Sequence, residues 1–141
     1  MKRINLLKDK FLVTAPATFQ KEERVVSQKL IDELFTGGHS HSLAAFPLRV
    51  IFMSKEHQEG QQPVRVLISV PKKRFHHAVD RNRVKRQIRE AYRRHKSLIV
   101  DQVPPSQMLV IAFVWLSDQL QPSTIVDSRV KNLLERIAHK Q

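Results

Sequence analysis

The stretch Pro71–Lys96, PKKRFHHAVDRNRVKRQIREAYRRHK, sets eleven Lys or Arg against only Asp80 and Glu90. That is most of the excess positive charge of the whole chain. At 100° per residue, a helix from about Asp80 gathers Val84, Ile88, Ala91, Tyr92 and His95 in one arc and Asn82, Lys85, Arg86, Arg89, Arg93 and Lys96 in the opposite one. Such a helix rests its apolar side on a core and offers a polyanion a fixed row of guanidinium and ammonium groups.

Working outward, the 141 residues carry a net charge of +12 with an ordinary 41% hydrophobic content, and the pI is near 10.6. The size suits one compact unit, read as a flexible extension over residues 1–20 followed by a single domain over 21–141. The charge draws phosphates. With no cysteine there is neither a disulfide framework nor a thiolate metal site. The apolar start is broken by Lys8, Asp9 and Lys10, so a secretory signal is not expected. Met108–Leu116, the longest apolar run, is too short for a helical membrane span. A soluble, cytoplasmic protein is expected, without membrane partners.

Val26, Leu30 and Leu34, with Ile31 and Phe35, repeat at helical spacing; Ser27 is an N-cap candidate and Gly37-Gly38 a stop. His39–Ser42 reads as polar loop. Phe46, Leu48, Val50 and Phe52 then alternate with Pro47, Arg49, Ile51 and Met53 as a strand does, with Pro47 marking an edge or a strand start. Lys55–Pro63 reads as a hairpin loop leading to a second strand, Val64–Val70. After the basic helix comes a polar connector with Pro104-Pro105. Met108–Leu116 is apolar throughout, the pattern of a strand covered on both faces in the middle of a sheet. Pro122 and Ser123 open a last helix with an apolar stripe of Ile125, Val126, Val130, Leu133, Leu134 and Ile137. The order is helix, strand, strand, helix, strand, helix, with room for one further short strand.

Ser69-Val70-Pro71-Lys72-Lys73, then Ala78-Val79 and Arg81-Asn82-Arg83-Val84-Lys85-Arg86-Gln87-Ile88-Arg89-Glu90, resembles the signature of the bacterial ribonuclease P protein subunit. Arg24-Val25, Leu34-Phe35 and Gly38 resemble its first-helix segment. The resemblance runs from about Phe19 to the last helix. It implies an α+β fold similar to the second domain of a small-subunit ribosomal protein: a four-stranded sheet packed with helices, with a left-handed strand-helix-strand crossover. It also implies a protein subunit that binds a catalytic RNA and the single-stranded 5′ leader of precursor tRNA. That enzyme, an endoribonuclease, removes the leader with Mg2+ bound mainly by the RNA subunit.

By position, the resemblance assigns Arg81, Asn82, Arg83, Lys85, Arg86 and Arg89 to RNA-subunit binding. Ile31, Phe35, Arg49, Lys72 and Lys73 are assigned to the leader. No catalytic or metal-ligating residue is implied in the chain. Two positions depart from what is frequent in the family: Ile31 stands where an aromatic is common and Arg49 where a tyrosine can occur, which weakens stacking and strengthens phosphate attraction. The turn Arg74–His77 lacks the usual glycine and is one residue longer.

The residues support this independently. Arg forks onto phosphate oxygens, Lys supplies point charge, and Asn pairs with a sugar or base edge. The basic helix lies between strands and not after a tight turn, which favours RNA over duplex DNA. By periodicity alone, however, Ile31 and Phe35 are core residues, and Trp115 is another. His39, His41, His76 and His77 read as loop histidines, and Asp101, Asp127 and Glu135 as lone surface acids. A structural RNA-binding protein of ribosomal type, without a processing role, is the alternative, and a protein-only nuclease a second rival.

Overall fold

The structure is a computed structural model that describes residues 27–57, 60 and 62–140. The extension over residues 1–20 and the first apolar position of the first helix, Val26, lie outside the described residues. Helix α1, Gln28–Thr36, is capped by Ser27, whose Oγ accepts from the Leu30 N–H. It ends at Gly37, where a Cβ would meet the Glu33 carbonyl oxygen at 2.5 Å, and Gly38 adopts φ +81°. Both glycines are therefore needed for the stop.

Strands β1 (His41–Ala45), β2 (Leu48–Glu56) and β3 (Val64–Ser69) follow, then α2 (Ala78–His95) and the four-residue α3 (Ser97–Val100). Strand β4 (Gln107–Trp115) and helix α4 (Ser123–His139) complete the chain. The sheet order is β1-β2-β4-β3. Strand β4 runs antiparallel to β2, with Ile51 opposite Ala112, and parallel to β3, with Leu67 opposite Ala112.

Three expectations change. The segment His39–Ser42 is not all loop: His41 begins β1, which pairs antiparallel with β2, so the optional short strand is real. Strand β2 starts at Leu48, and Phe46, 63% exposed, sits in the turn. The connection Lys55–Pro63 is not a hairpin, because β4 separates β2 from β3. The connection instead passes the start of β4, where His57 N–H donates to the Ser106 carbonyl and Leu109 N–H to that of Pro63. The physical reason is β4 itself: with apolar side chains on both faces it loses least where two strands and two layers cover it. The proline-containing connector also holds a turn of helix, α3, anchored by buried Ile99.

Side chains sort to the two faces by strand alternation. Leu109, Ile111, Phe113 and Trp115 join Val50, Phe52, Val64 and Val66 beneath Val84, Ile88 and Tyr92 of α2 and Val126, Val130, Leu133 and Ile137 of α4. Met108, Val110 and Ala112 face the other way with Ile51 and Met53, beneath Leu34 of α1. Trp115 is core, as its position in the apolar run predicts.

The hand of the β3–α2–β4 crossover follows from chirality. In a strand of L-residues running upward and seen from the side-chain side of a residue, the N–H and C=O of that residue point right. Leu109 has its side chain on the α2 face and donates its N–H toward β3, to Pro63. Seen from the helices, β3 thus lies right of β4, and the chain passes from β3 through α2 to a parallel strand on its left. The crossover is left-handed, against a strong general preference. No helix among the described residues is long and apolar enough to cross a membrane.

Ile111 is fully buried at the centre of β4, so Ile111→Ala is expected to lower the unfolding free energy by about 2–5 kcal/mol in urea titration. Arg86→Ala, on the exposed flank of α2, should change it by less than about 0.5 kcal/mol.

Candidate RNA-binding site

Helix α2 buries Val84, Ile88, Ala91 and Tyr92, and this burial fixes its rotation. The arc predicted to be apolar is the arc that packs, so Asn82, Arg83 and Arg86 are exposed, and Lys85 and Arg89 are half-buried. The side chains of Arg83 and Arg86 make no hydrogen bond or ion pair among the described residues. Asp80 in the first turn and Arg93, Arg94 and His95 in the last complement the helix dipole.

Not every cation of the expected row stays available. Arg93 donates its Nε to Glu90 Oε1 at 2.8 Å, a bond that raises the guanidinium above its ordinary value. The same hydrogen bond, with the Arg93 and Arg94 charges behind it, holds the Glu90 carboxyl below the usual range. Near the C-terminal end of the helix, His95 Nε2 lies 2.9 Å from Asp127 Oδ2, and Arg94 Nη1 lies 3.7 Å from Asp127 Oδ1. Asp127 is therefore not a lone surface acid but a bridge from α4 to α2. A pairing 32 residues apart in the chain leaves no local sequence signal. These contacts engage Arg93, Arg94 and His95 in the last turn of α2 and leave Arg83 and Arg86, nearer its start, without an acidic partner among the described residues.

Arg81 is placed differently from its neighbours. It is half-buried, and its Nη1 donates to the carbonyls of Phe75 at 2.8 Å and His76 at 3.3 Å. Lys72 and Lys73, in the same loop, are exposed.

A second region lies between α1 and the sheet. Ile31 is half-buried and packs with Leu30 on the cluster of Ile51, Met53, Met108, Val110 and Ala112. Phe35, one turn further on the same side of the helix, is 44% exposed. Periodicity alone placed both in the core; only Ile31 contributes there. Across the sheet on this face, Arg49 is in register with Val114 and Val114 with Ser69. Arg49 and the Lys72-Lys73 loop that follows β3 thus occupy the same end of the sheet. Arg49 is exposed and donates Nε to Ser42 Oγ at 2.9 Å, which orients the guanidinium.

Helix α1 is tied down by Lys55, whose Nζ lies 2.9 Å from Glu33 Oε1 and 3.0 Å from Oε2. At its C-terminal end Ser40 donates its hydroxyl to the Leu34 carbonyl. The Lys55 hydrogen bond, aided by the charges of Lys55, Lys29 and His39, holds the Glu33 carboxyl below the ordinary glutamate value. A depressed carboxylate pKa contributes stability above the unfolded-state value and loses it as pH falls through the folded-state value. Acid titration by NMR should thus show Glu33 ionising below a model glutamate, and Lys55→Met should return it toward that value while raising amide exchange in α1. Unaltered titration in Lys55→Met would count against the tether.

Comparison with known proteins adds the family. Residues 19–138 match the ribonuclease P family. The ribonuclease P protein component of Porphyromonas gingivalis is 40% identical over 130 residues, 89% of this chain and 92% of that protein. The solved structure of the RNase P protein from Thermotoga maritima is similar with a TM-score of 0.62 at 25% identity, covering 81% of this chain and 96% of that one. An RNase P protein variant from Staphylococcus aureus shares the fold, with a TM-score of 0.65 at 22% identity over 96% of this chain and 98% of that one. With a cationic helix on a left-handed crossover and a family match over most of its length, this chain belongs to the ribonuclease P protein family.

Proposed function

We propose that the chain binds the catalytic RNA subunit of ribonuclease P through the N-terminal half of α2 and the 5′ leader of precursor tRNA in the cleft between α1 and the sheet. Family membership makes it a protein component in tRNA processing; the division of labour between the two surfaces is the proposal. The observation that carries it is the rotation of α2, whose packing leaves Asn82, Arg83 and Arg86 exposed beside half-buried Lys85 and Arg89. An array held by a buried face meets phosphates without ordering itself first.

In the cleft, Phe35 offers an exposed ring for a base, Ile31 an apolar floor, and Arg49, Lys72 and Lys73 cations for the strand's phosphates. The hydrolytic chemistry, attack of water on the phosphodiester at the mature 5′ end, is assigned to the RNA subunit together with Mg2+. Guanidinium and ammonium groups repel a divalent cation and lack the oxygen ligands it needs, so this chain's surfaces fit phosphate rather than metal. Their work is to neutralise RNA charge and position the leader, which lowers the Mg2+ needed for assembly of RNA and substrate.

Reconstitution with the catalytic RNA, scored as leader removal at low Mg2+, tests the reading. The chain should stimulate cleavage and be inactive without the RNA. No stimulation would favour a structural RNA-binding protein of ribosomal type, and cleavage by the isolated chain a protein-only nuclease. Arg83→Ala with Arg86→Ala should leave the fold intact and weaken binding to the catalytic RNA. The slope of log affinity against log salt should fall by about 0.7–0.9 per lost phosphate contact. Phe35→Ala should weaken binding of leader-bearing substrate by about 1–3 kcal/mol and leave leaderless tRNA unaffected.

A further inference from the structure

The loop between β3 and α2 turns the chain with no glycine, and among the described residues no non-glycine has positive φ. A loop built this way takes its course from ordinary backbone conformations and not from a glycine turn, and the structure holds it in place at three points. Phe75 is only 8% exposed and sits in the core with Val70 and Val84. Arg74 donates Nη1 to Asp118 Oδ1 at 3.1 Å in the segment after β4, and its N–H closes a turn on the Pro71 carbonyl at 3.0 Å. From the first turn of α2, Arg81 reaches back to the successive carbonyls of Phe75 and His76. Lys72, Lys73, His76 and His77 are left pointing outward, all exposed.

We propose that Arg81 is a positioning residue, a clamp that joins the Lys72-Lys73 loop to the start of α2 so that loop and helix present their cations as one rigid surface. The proposal rests on the RNA-binding reading above and assigns Arg81 a different role from Arg83 and Arg86. The guanidinium is suited to it: a planar donor on a long stem satisfies two adjacent carbonyls at once, which an ammonium does with poorer geometry. Holding the loop before RNA arrives removes the ordering cost that two flexible lysines on a free loop would add to binding. Arg74 and Asp118 tie the same loop to the segment after β4, so the clamp and the ion pair share the load.

A double-mutant cycle separates this from direct contact with phosphate. Binding of precursor tRNA by the reconstituted holoenzyme would be measured over a range of salt for Arg81→Ala, Arg49→Ala, Lys72→Ala with Lys73→Ala, and the combinations of each arginine variant with the lysine pair. Amide hydrogen exchange over residues 72–77 of the free protein would be read alongside. The clamp predicts that Arg81→Ala weakens binding several-fold, speeds exchange in the loop, and has almost no further effect on affinity or salt slope once the two lysines are gone. Arg49→Ala, a direct leader contact in the reading above, should lower the slope equally in both backgrounds. If Arg81→Ala leaves loop exchange unchanged, or lowers the slope by the same amount with and without the lysines, Arg81 touches phosphate itself and the proposal falls. If neither Arg49→Ala nor the lysine pair alters affinity or slope, the leader-binding reading fails instead, and the exchange measurement alone still decides whether the clamp exists.

Discussion

The burial of β4 on both faces and along both edges governs the rest of the molecule. Its nine residues hold no charge, so each face requires a covering layer and each edge a paired strand. Three helices meet the faces: α2 and α4 on one, short α1 on the other. The edges take β2 antiparallel and β3 parallel. A parallel neighbour needs a crossover, and the segment available for it is the basic helix. The position of the cationic surface is therefore a consequence of where an uncharged strand must lie.

That arrangement also separates the two candidate surfaces. Helix α2 lies on one face of the sheet and α1 on the other, yet the loop after β3 borders both. It leaves the sheet at the end where Arg49 lies and enters α2 beside Arg81. Its course is held by a buried phenylalanine, an ion pair and a guanidinium at once. The intramolecular acids are used sparingly. Glu90 and Asp127 engage cations in the C-terminal half of α2, while Arg83 and Arg86 in the N-terminal half have no acidic partner among the described residues. Exposed pairs such as Glu90 with Arg93 add little stability; their effect here is to shape where the positive field is open.

The sequence by itself determined the elements whose cause is local. Three-residue and four-residue spacing marked the buried arc of α2 and the stripe of α4, because a helix exposes one face to the core whatever its partner. The unbroken apolar run of β4 announced a central strand for the same reason, and Gly37-Gly38 stopped α1 where a Cβ would collide with the preceding turn. The Arg-Asn-Arg stretch, read together with its flanking strand end, carried the family and with it the left-handed crossover, which no periodicity encodes. What only the tertiary structure decided depends on partners distant in the chain. The strand after Lys55 failed to form a hairpin because β4, some fifty residues on, competes for the same edge. Asp127 left solvent because His95 and Arg94 wait on another helix, and Phe35 stayed exposed because α1 covers only part of its face of the sheet. Arg81 turned inward because the carbonyls it satisfies belong to a loop whose path is set by packing. Local spacing records which side of an element is apolar; it holds no record of which distant group will stand opposite, and that is the information folding adds.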